Sequence, residues 1–205
     1  MATQEERRDT AKAALLASAR RLFGGRGYAE TSIDDVAAKA GFAKGGVYHH
    51  FATKADLFET VLESVSEEIA EKTAAAALAE KDVRAALVAG TRAYFLCCRD
   101  APTARILLVD GPRVLGWDRW REIDQKHFGG GVAAAVERAM EQGLIAGASA
   151  NAVTRLLLGA LSEAAFDCAA KSDFGALADD YLAGLEAMLA GLAPKGREKP
   201  RRRAR

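Results

Sequence analysis

Only four prolines interrupt this chain of 205 residues, and their scarcity constrains the fold more than any other feature. They stand at Pro102, Pro112, Pro194 and Pro200. A proline inside a helix removes a hydrogen bond and clashes with the preceding turn, so the long proline-free stretches can hold unbroken helices. About a fifth of the residues are alanine, the best helix former. No period-two alternation is bounded by hairpin turns of the Asn-Gly or Asp-Gly kind. The expected fold class is all-α.

Composition sets the outer bounds. Half of the residues are hydrophobic and 28% are charged, with a formal net charge of +1. That balance suits a chain with a buried core, either one domain or a small module joined to a larger one. No run approaches the ~18 consecutive apolar residues of a membrane span. The first ten residues are charged and lack the apolar segment of a secretory signal. A cytoplasmic protein with no membrane partner is expected.

The charge is unevenly spread. Residues 1–60 are near neutral, with nine basic against eight acidic side chains. Residues 61–194 carry thirteen against nineteen, a net of −6, and residues 195–205 carry seven against one, a net of +6. Any nucleic-acid function must therefore be argued from local motifs and not from global charge. The segment 194–205 is expected to be a disordered basic tail, either merely solvated or adding non-specific affinity for DNA.

The cysteines imply neither a disulfide framework nor a metal site. Cys97 and Cys98 are adjacent, and neighbours in a helix point about 100° apart. With only His49, His50 and His127 in the chain, no zinc spacing is present, so no metal and no cofactor are expected. Cys97, Cys98 and Cys168 read either as small buried residues or as redox sensors.

Hydrophobic periodicity predicts a first helix from Thr10 to about Phe23, stopped by Gly24-Gly25. Ser32 and Asp35 form a capping box for a short helix bearing Ile33, Val36, Ala37 and Ala40, which Gly41 ends. A turn of about three residues leads into another short helix from Ala43. Two short helices across a tight turn are the pattern of a helix-turn-helix. Thr53 and Asp56 repeat the capping box and open a longer helix whose inward face is Leu57, Phe58, Val61, Leu62, Val65 and Ile69. Further on, Asp82 caps a helix bearing Val83, Leu87, Tyr94 and Cys98. Pro102 opens another, stopped by Asp110-Gly111-Pro112. A helix with Trp117, Trp120 and Ile123 should kink or break at Gly129-Gly130-Gly131 before resuming to Gly143. Two regular apolar helices, 153–164 and 174–192, follow.

The stretch Thr31-Ser32-Ile33-Asp34-Asp35-Val36-Ala37, then Ala40-Gly41-Phe42-Ala43-Lys44-Gly45-Gly46-Val47-Tyr48-His49-His50-Phe51 and Lys54-Ala55-Asp56-Leu57, is specific. It resembles the N-terminal DNA-binding domain of the tetracycline-repressor (TetR) family of bacterial regulators across residues 10–60. The resemblance implies a three-helix head, a larger helical effector and dimerisation domain over 61–193, and no enzymatic activity.

The residues themselves fit a reading head. Gly45 and Gly46 let backbone approach a major-groove wall, and Lys44 can reach phosphate or the guanine edge. The hydroxyl of Tyr48 can donate to phosphate while its ring packs on the domain, and the family implies the same role. His49 lies beside it. Ser32 and Lys54 stand at helix N-termini, where exposed amides favour a phosphate. Plainer readings remain for each: Ser32 as a cap, Lys44 and Lys54 as solvated lysines, Tyr48 as packing. The family usually carries Ser or Thr where this chain has Ala43, so the third helix begins without that cap.

Tyr94, Trp117, Trp120, His127 and Phe128 form the other candidate site. Two tryptophans and a histidine beside a kinked helix suit an apolar ligand with one polar anchor, with core packing as the equal alternative. No nucleophile elbow, P-loop or dinucleotide fingerprint is present. The expected protein is a homodimeric regulator, a repressor by expectation, that binds a palindromic double-stranded DNA operator and is released by a small apolar or aromatic effector. The alternatives are a redox-responsive regulator, or a helical binding protein or enzyme that keeps the motif as a relic.

Overall fold

Capping chemistry sets most helix boundaries. The computed structural model describes residues 3–171 and 173–192. Helix α1 spans Gln4–Arg26 and starts a turn and a half before the periodicity predicts. Thr3 and Glu6 form a capping box there, the Glu6 carboxylate accepting from the Thr3 N–H at 2.7 Å. Its first seven residues are polar and exposed, so they leave no apolar stripe to read. Nor does Gly24-Gly25 stop the helix. A Cβ on Gly24 would lie 2.8 Å from Cβ of Pro102, so the glycine is there for close approach to a later helix. The chain leaves α1 at Gly27, whose φ of +91° a side chain would resist.

Helices α2 (Ile33–Ala40) and α3 (Lys44–Tyr48) form the expected helix-turn-helix. Both faces of the Ser32–Asp35 capping box are present, and Gly41 ends α2 in the left-handed region. Ala43 caps nothing with its side chain. Helix α4 (Lys54–Leu78) opens on the Thr53–Asp56 box and runs about 37 Å at 1.5 Å per residue. All six residues of its expected inward face are buried. Phe23, Tyr28 and Phe58 pack edge or tilted within 5.2–5.7 Å where α1 meets α4.

Helix α5 spans Val83–Cys98 with Asp82 as its cap. Helix α6 runs through Ala101–Ala104, a π turn at Arg105–Asp110, and Gly111–Leu115. The expected stop at Asp110-Gly111-Pro112 is therefore overturned. Pro112 falls in the first turn of the resumed α segment, where a missing N–H costs least. Helix α7 likewise runs through Trp117–Asp124, a π turn at Gln125–Gly129, and Gly130–Glu141. The interruption expected at the glycines takes the form of this widened turn, not a break. Helices α8 (Ala150–Ala170) and α9 (Phe174–Gly191) complete an all-α fold, with no strand among the described residues. The basic tail 194–205 lies outside the described residues.

One apolar core runs without interruption from the α1–α4 head into α5, α6, α7 and α8. The head is also clamped from α6. Arg105 donates to the carbonyls of Gly24 and Gly25 at the C-terminal end of α1, where a cation suits the helix dipole. Asp110 accepts from the N–H of Tyr28 at 2.8 Å. These two residues bracket the π turn, and nothing in the local sequence signalled them.

Candidate functional sites: a reading head and an interhelical cavity

Helix α3 presents Lys44, Gly45, Tyr48 and His49 to solvent, with only Val47 buried beneath them. No atom comes within 4 Å of a Cβ built on Gly45, so backbone is accessible there. Lys44 pairs with Asp34 at 2.9 Å, which holds its ammonium above the ordinary lysine range. Both partners are more than half exposed and solvent screens the pair, so phosphate or a base edge can compete for the lysine. Tyr48 is 47% exposed.

Two expected phosphate contacts have other work in the fold. The Ser32 hydroxyl accepts from the Asp35 N–H at 3.1 Å and donates to its carboxylate at 2.7 Å. That hydrogen bonding lowers the Asp35 pKa and puts a carboxylate at the N-terminus of α2. Lys54 is the clearer case. Its ammonium donates to the carbonyls of Tyr28 and Thr31, both at 2.9 Å, and lies 4.0 Å from the centre of the Tyr28 ring. The side chain ties the α1–α2 loop to α4 and does not reach outward.

The second site is a cavity of about 450 Å³ between α4, α5, α7 and α8. Three of the five residues expected at a ligand site line it: Tyr94, His127 and Phe128. Tyr94 and Phe128 meet edge-on at 5.2 Å. Trp117 and Trp120, the other two, lie outside the cavity lining. Trp120 is 2% exposed, donates from Nε1 to the Leu107 carbonyl at 2.7 Å, and stacks on Trp117 and Phe166. Trp117 is nearly half exposed, beneath the guanidinium of Arg121. The stripe of aromatic residues divides because a helix face is wide. One edge packs on α6 and α8 while the other faces the cavity.

Sequence reasoning missed Asp124, a buried carboxyl on the cavity wall. Its signal was legible: Trp120, Ile123, Asp124 and His127 fall at helical spacing, so an ionisable side chain sits on an apolar stripe. Burial pushes its pKa up to about 6, against the opposing pull of Arg121 and His127. Across the site, His127 Nε2 lies 2.9 Å from Glu63 on α4, and Lys126 reaches the same carboxylate at 2.5 Å. Desolvation raises Glu63, but these partners outweigh it and its pKa is lowered.

A stability prediction follows from Asp124. Its pKa rises from 3.8 unfolded to about 6 folded, so between those values the folded state holds more protons. Stability therefore falls as pH climbs through that window, and the full penalty is present at neutral pH. Asp124→Asn is expected to stabilise the protein at pH 7.5 by up to about 3 kcal/mol, at ~1.4 kcal/mol per pKa unit. The gain should vanish towards pH 4. Urea denaturation at both pH values checks it, and a variant less stable at pH 7.5 would refute the assignment.

The thiols sit badly for sensing. Burial pushes Cys98 to about 12 and raises Cys97 and Cys168, so the reactive thiolate is scarce at all three. Among the described residues no group of His, Cys, Asp or Glu is arranged to hold a metal, and no helix is long and apolar enough to cross a membrane.

Residues 84–192, more than half of the chain, match the family described as tetracyclin repressor-like, C-terminal domain, and residues 15–61 match bacterial regulatory proteins, tetR family. The chain belongs to the TetR family. A TetR-family transcriptional regulator from Pectobacterium atrosepticum superposes with a TM-score of 0.81 at 34% identity, over 95% of this chain and 99% of that one. The HTH-type transcriptional regulator TtgR of Pseudomonas putida is 40% identical over 65 residues, or 32% of this chain and 30% of that protein. The chain thus matches under a third of the length of that curated relative. The regulator FadR of Bacillus subtilis, in complex with stearoyl-CoA, shares the fold at a TM-score of 0.71 and 18% identity, over 85% of this chain and 97% of that one.

Proposed function

We propose that this TetR-family transcriptional regulator is a cytoplasmic, homodimeric repressor. Residues 10–60 read a palindromic operator, and residues 61–193 bind a small effector, mainly apolar or aromatic, and form the dimer. One observation carries the reading: α4 belongs to both sites. Its first turns pack the reading head, and Glu67, Ala70, Glu71, Thr73, Ala74 and Ala77 further along it wall the cavity. A ligand that displaces His127 also disturbs the Glu63 contact on α4, and α6 carries a second route through Arg105 and Asp110. Two recognition helices must sit about 34–36 Å apart to enter successive major grooves, so a small tilt of α4 in each protomer spoils the spacing. Reciprocally, DNA weakens the effector, and ~1–3 kcal/mol of coupling changes operator affinity about 5- to 150-fold. The raised thiol pKa values lend a redox reading no support, and the matched relatives are regulators, not enzymes.

The test uses a duplex selected by the protein from a random library, read by fluorescence anisotropy. Lys44→Ala is expected to cost ~1–3 kcal/mol on that duplex and to relax sequence preference. Tyr48→Phe should weaken all sequences nearly alike, because a phosphate contact carries no base information. Thermal denaturation should leave both variants as stable as the parent, since both side chains are exposed. Wild-type affinity in both would remove α3 from the DNA interface.

A further inference from the structure

The cavity wall is mostly apolar, which sets apart one buried carboxyl. Ala70, Ala74, Leu87, Phe128, Val132 and Leu161 supply its walls. The polar groups within are mostly occupied. The hydroxyls of Thr91 and Ser162 donate back to the carbonyls of Leu87 and Leu158 in their own helices, at 2.8 and 2.9 Å. His127 is held by Glu63. Asp124 is different: it is 8% exposed, lines the cavity, and no hydrogen bond or ion pair among the described residues reaches its carboxylate. Arg121, one turn earlier on the same helix, is exposed and turned over the Trp117 ring. A buried carboxylate without a partner is expensive to keep, and natural cores retain few of them.

Resting on the reading of this cavity as the effector site, we propose that its effector is an organic cation. The molecule has a largely apolar or aromatic body and a protonated amine that pairs with Asp124. Three features agree. A cation is the species that most relieves an uncompensated buried carboxylate, whereas an anion is repelled by it. The lining adds Glu67 and Glu71, both exposed towards the mouth, against the single guanidinium of Arg138, so the local field favours positive ligands. The edge-on pair of Tyr94 and Phe128 offers aromatic surface on which a cationic nitrogen or a flat ring can rest.

Three probes with one body and different charge test this by calorimetry at pH 7.5: 2-naphthylmethylamine, 2-naphthalenemethanol and 2-naphthoate. The amine is expected to bind at least about tenfold more tightly than the alcohol, and naphthoate most weakly. In Asp124→Asn the amine and the alcohol should bind alike, with the alcohol's affinity close to its value in the parent. Urea denaturation of the same samples verifies that the variant is folded. Equal binding of amine and alcohol to the parent, or an amine preference that survives in Asp124→Asn, overturns the charge assignment and leaves the cavity as an effector site. Binding of none of the three overturns both.

Discussion

Gly159→Arg is expected to yield a folded monomer that holds the operator ~10²–10⁴-fold more weakly, because two linked reading heads become one. Gly159 lies on the exposed face of α8, and a Cβ built there meets nothing within 4 Å, so the arginine starts into open space. Replacing a mid-helix glycine should even favour α8 by up to ~1 kcal/mol. What the substitution meets is the proposed partner. Leu156 at 72% exposure, Gly159 and Ala160 on α8 lie open, as do Tyr181, Gly184 and Met188 on α9. Large apolar side chains among small residues on two adjacent helices are what a four-helix contact about a two-fold axis needs. A guanidinium buried among these apolar side chains would lack a counter-ion. Sedimentation velocity at micromolar concentration reads the assembly, and anisotropy on the selected duplex reads the affinity. A variant that remains dimeric would move the interface elsewhere. A monomer that binds DNA like the parent would end the two-head account of operator recognition.

The same face shows what periodicity can and cannot convey. The apolar positions 153–164 of α8 are legible as one stripe, but the stripe splits in the fold. Val153, Leu157 and Ala164 are buried within the chain, while Leu156 and Ala160 are exposed. Hydrophobic spacing reports that a face is covered and does not say by which chain. Capping boxes at Ser32 and Thr53 were legible because each is a local hydrogen-bond pattern between residues three positions apart. The start of α1 was not, because Thr3 caps a turn with no apolar stripe behind it. The clamp from Arg105 and Asp110 to the end of α1 was invisible for a further reason. It joins residues about eighty positions apart, and each looks like an ordinary charge on a helix. Lys54 shows a third limit: its place at a helix N-terminus favours phosphate, and local sequence gives no sign of the Tyr28 and Thr31 carbonyls that it also meets.

Trp120→Ala is expected to destabilise the protein by ~3–5 kcal/mol, a large share of the ~5–15 kcal/mol that holds a domain together. Where α4, α6 and α7 cross, Trp120 fills the space that glycine at 111 leaves open. A Cβ on Gly111 would lie 2.8 Å from both Trp120 Cδ1 and Leu62 Cδ1. Truncation leaves a cavity, removes the stacking on Trp117 and Phe166, and strands the Leu107 carbonyl that Nε1 now satisfies. Trp120→Phe separates these contributions. It keeps a ring in the site and loses the donor, at a cost nearer the ~1–3 kcal/mol of an unsatisfied buried group plus imperfect packing. Urea midpoints rank the parent, Trp120→Phe and Trp120→Ala in that order of stability. Because Trp120 does not line the effector cavity, the molecules of Trp120→Ala that remain folded should bind an effector as the parent does. Phe128→Ala should show the reverse pattern, with weaker effector binding and a smaller loss of stability, because Phe128 is only partly buried and lines the cavity. If Trp120→Ala lost effector binding while its urea midpoint stayed at the parental value, Trp120 would be a ligand contact and its packing role would be refuted.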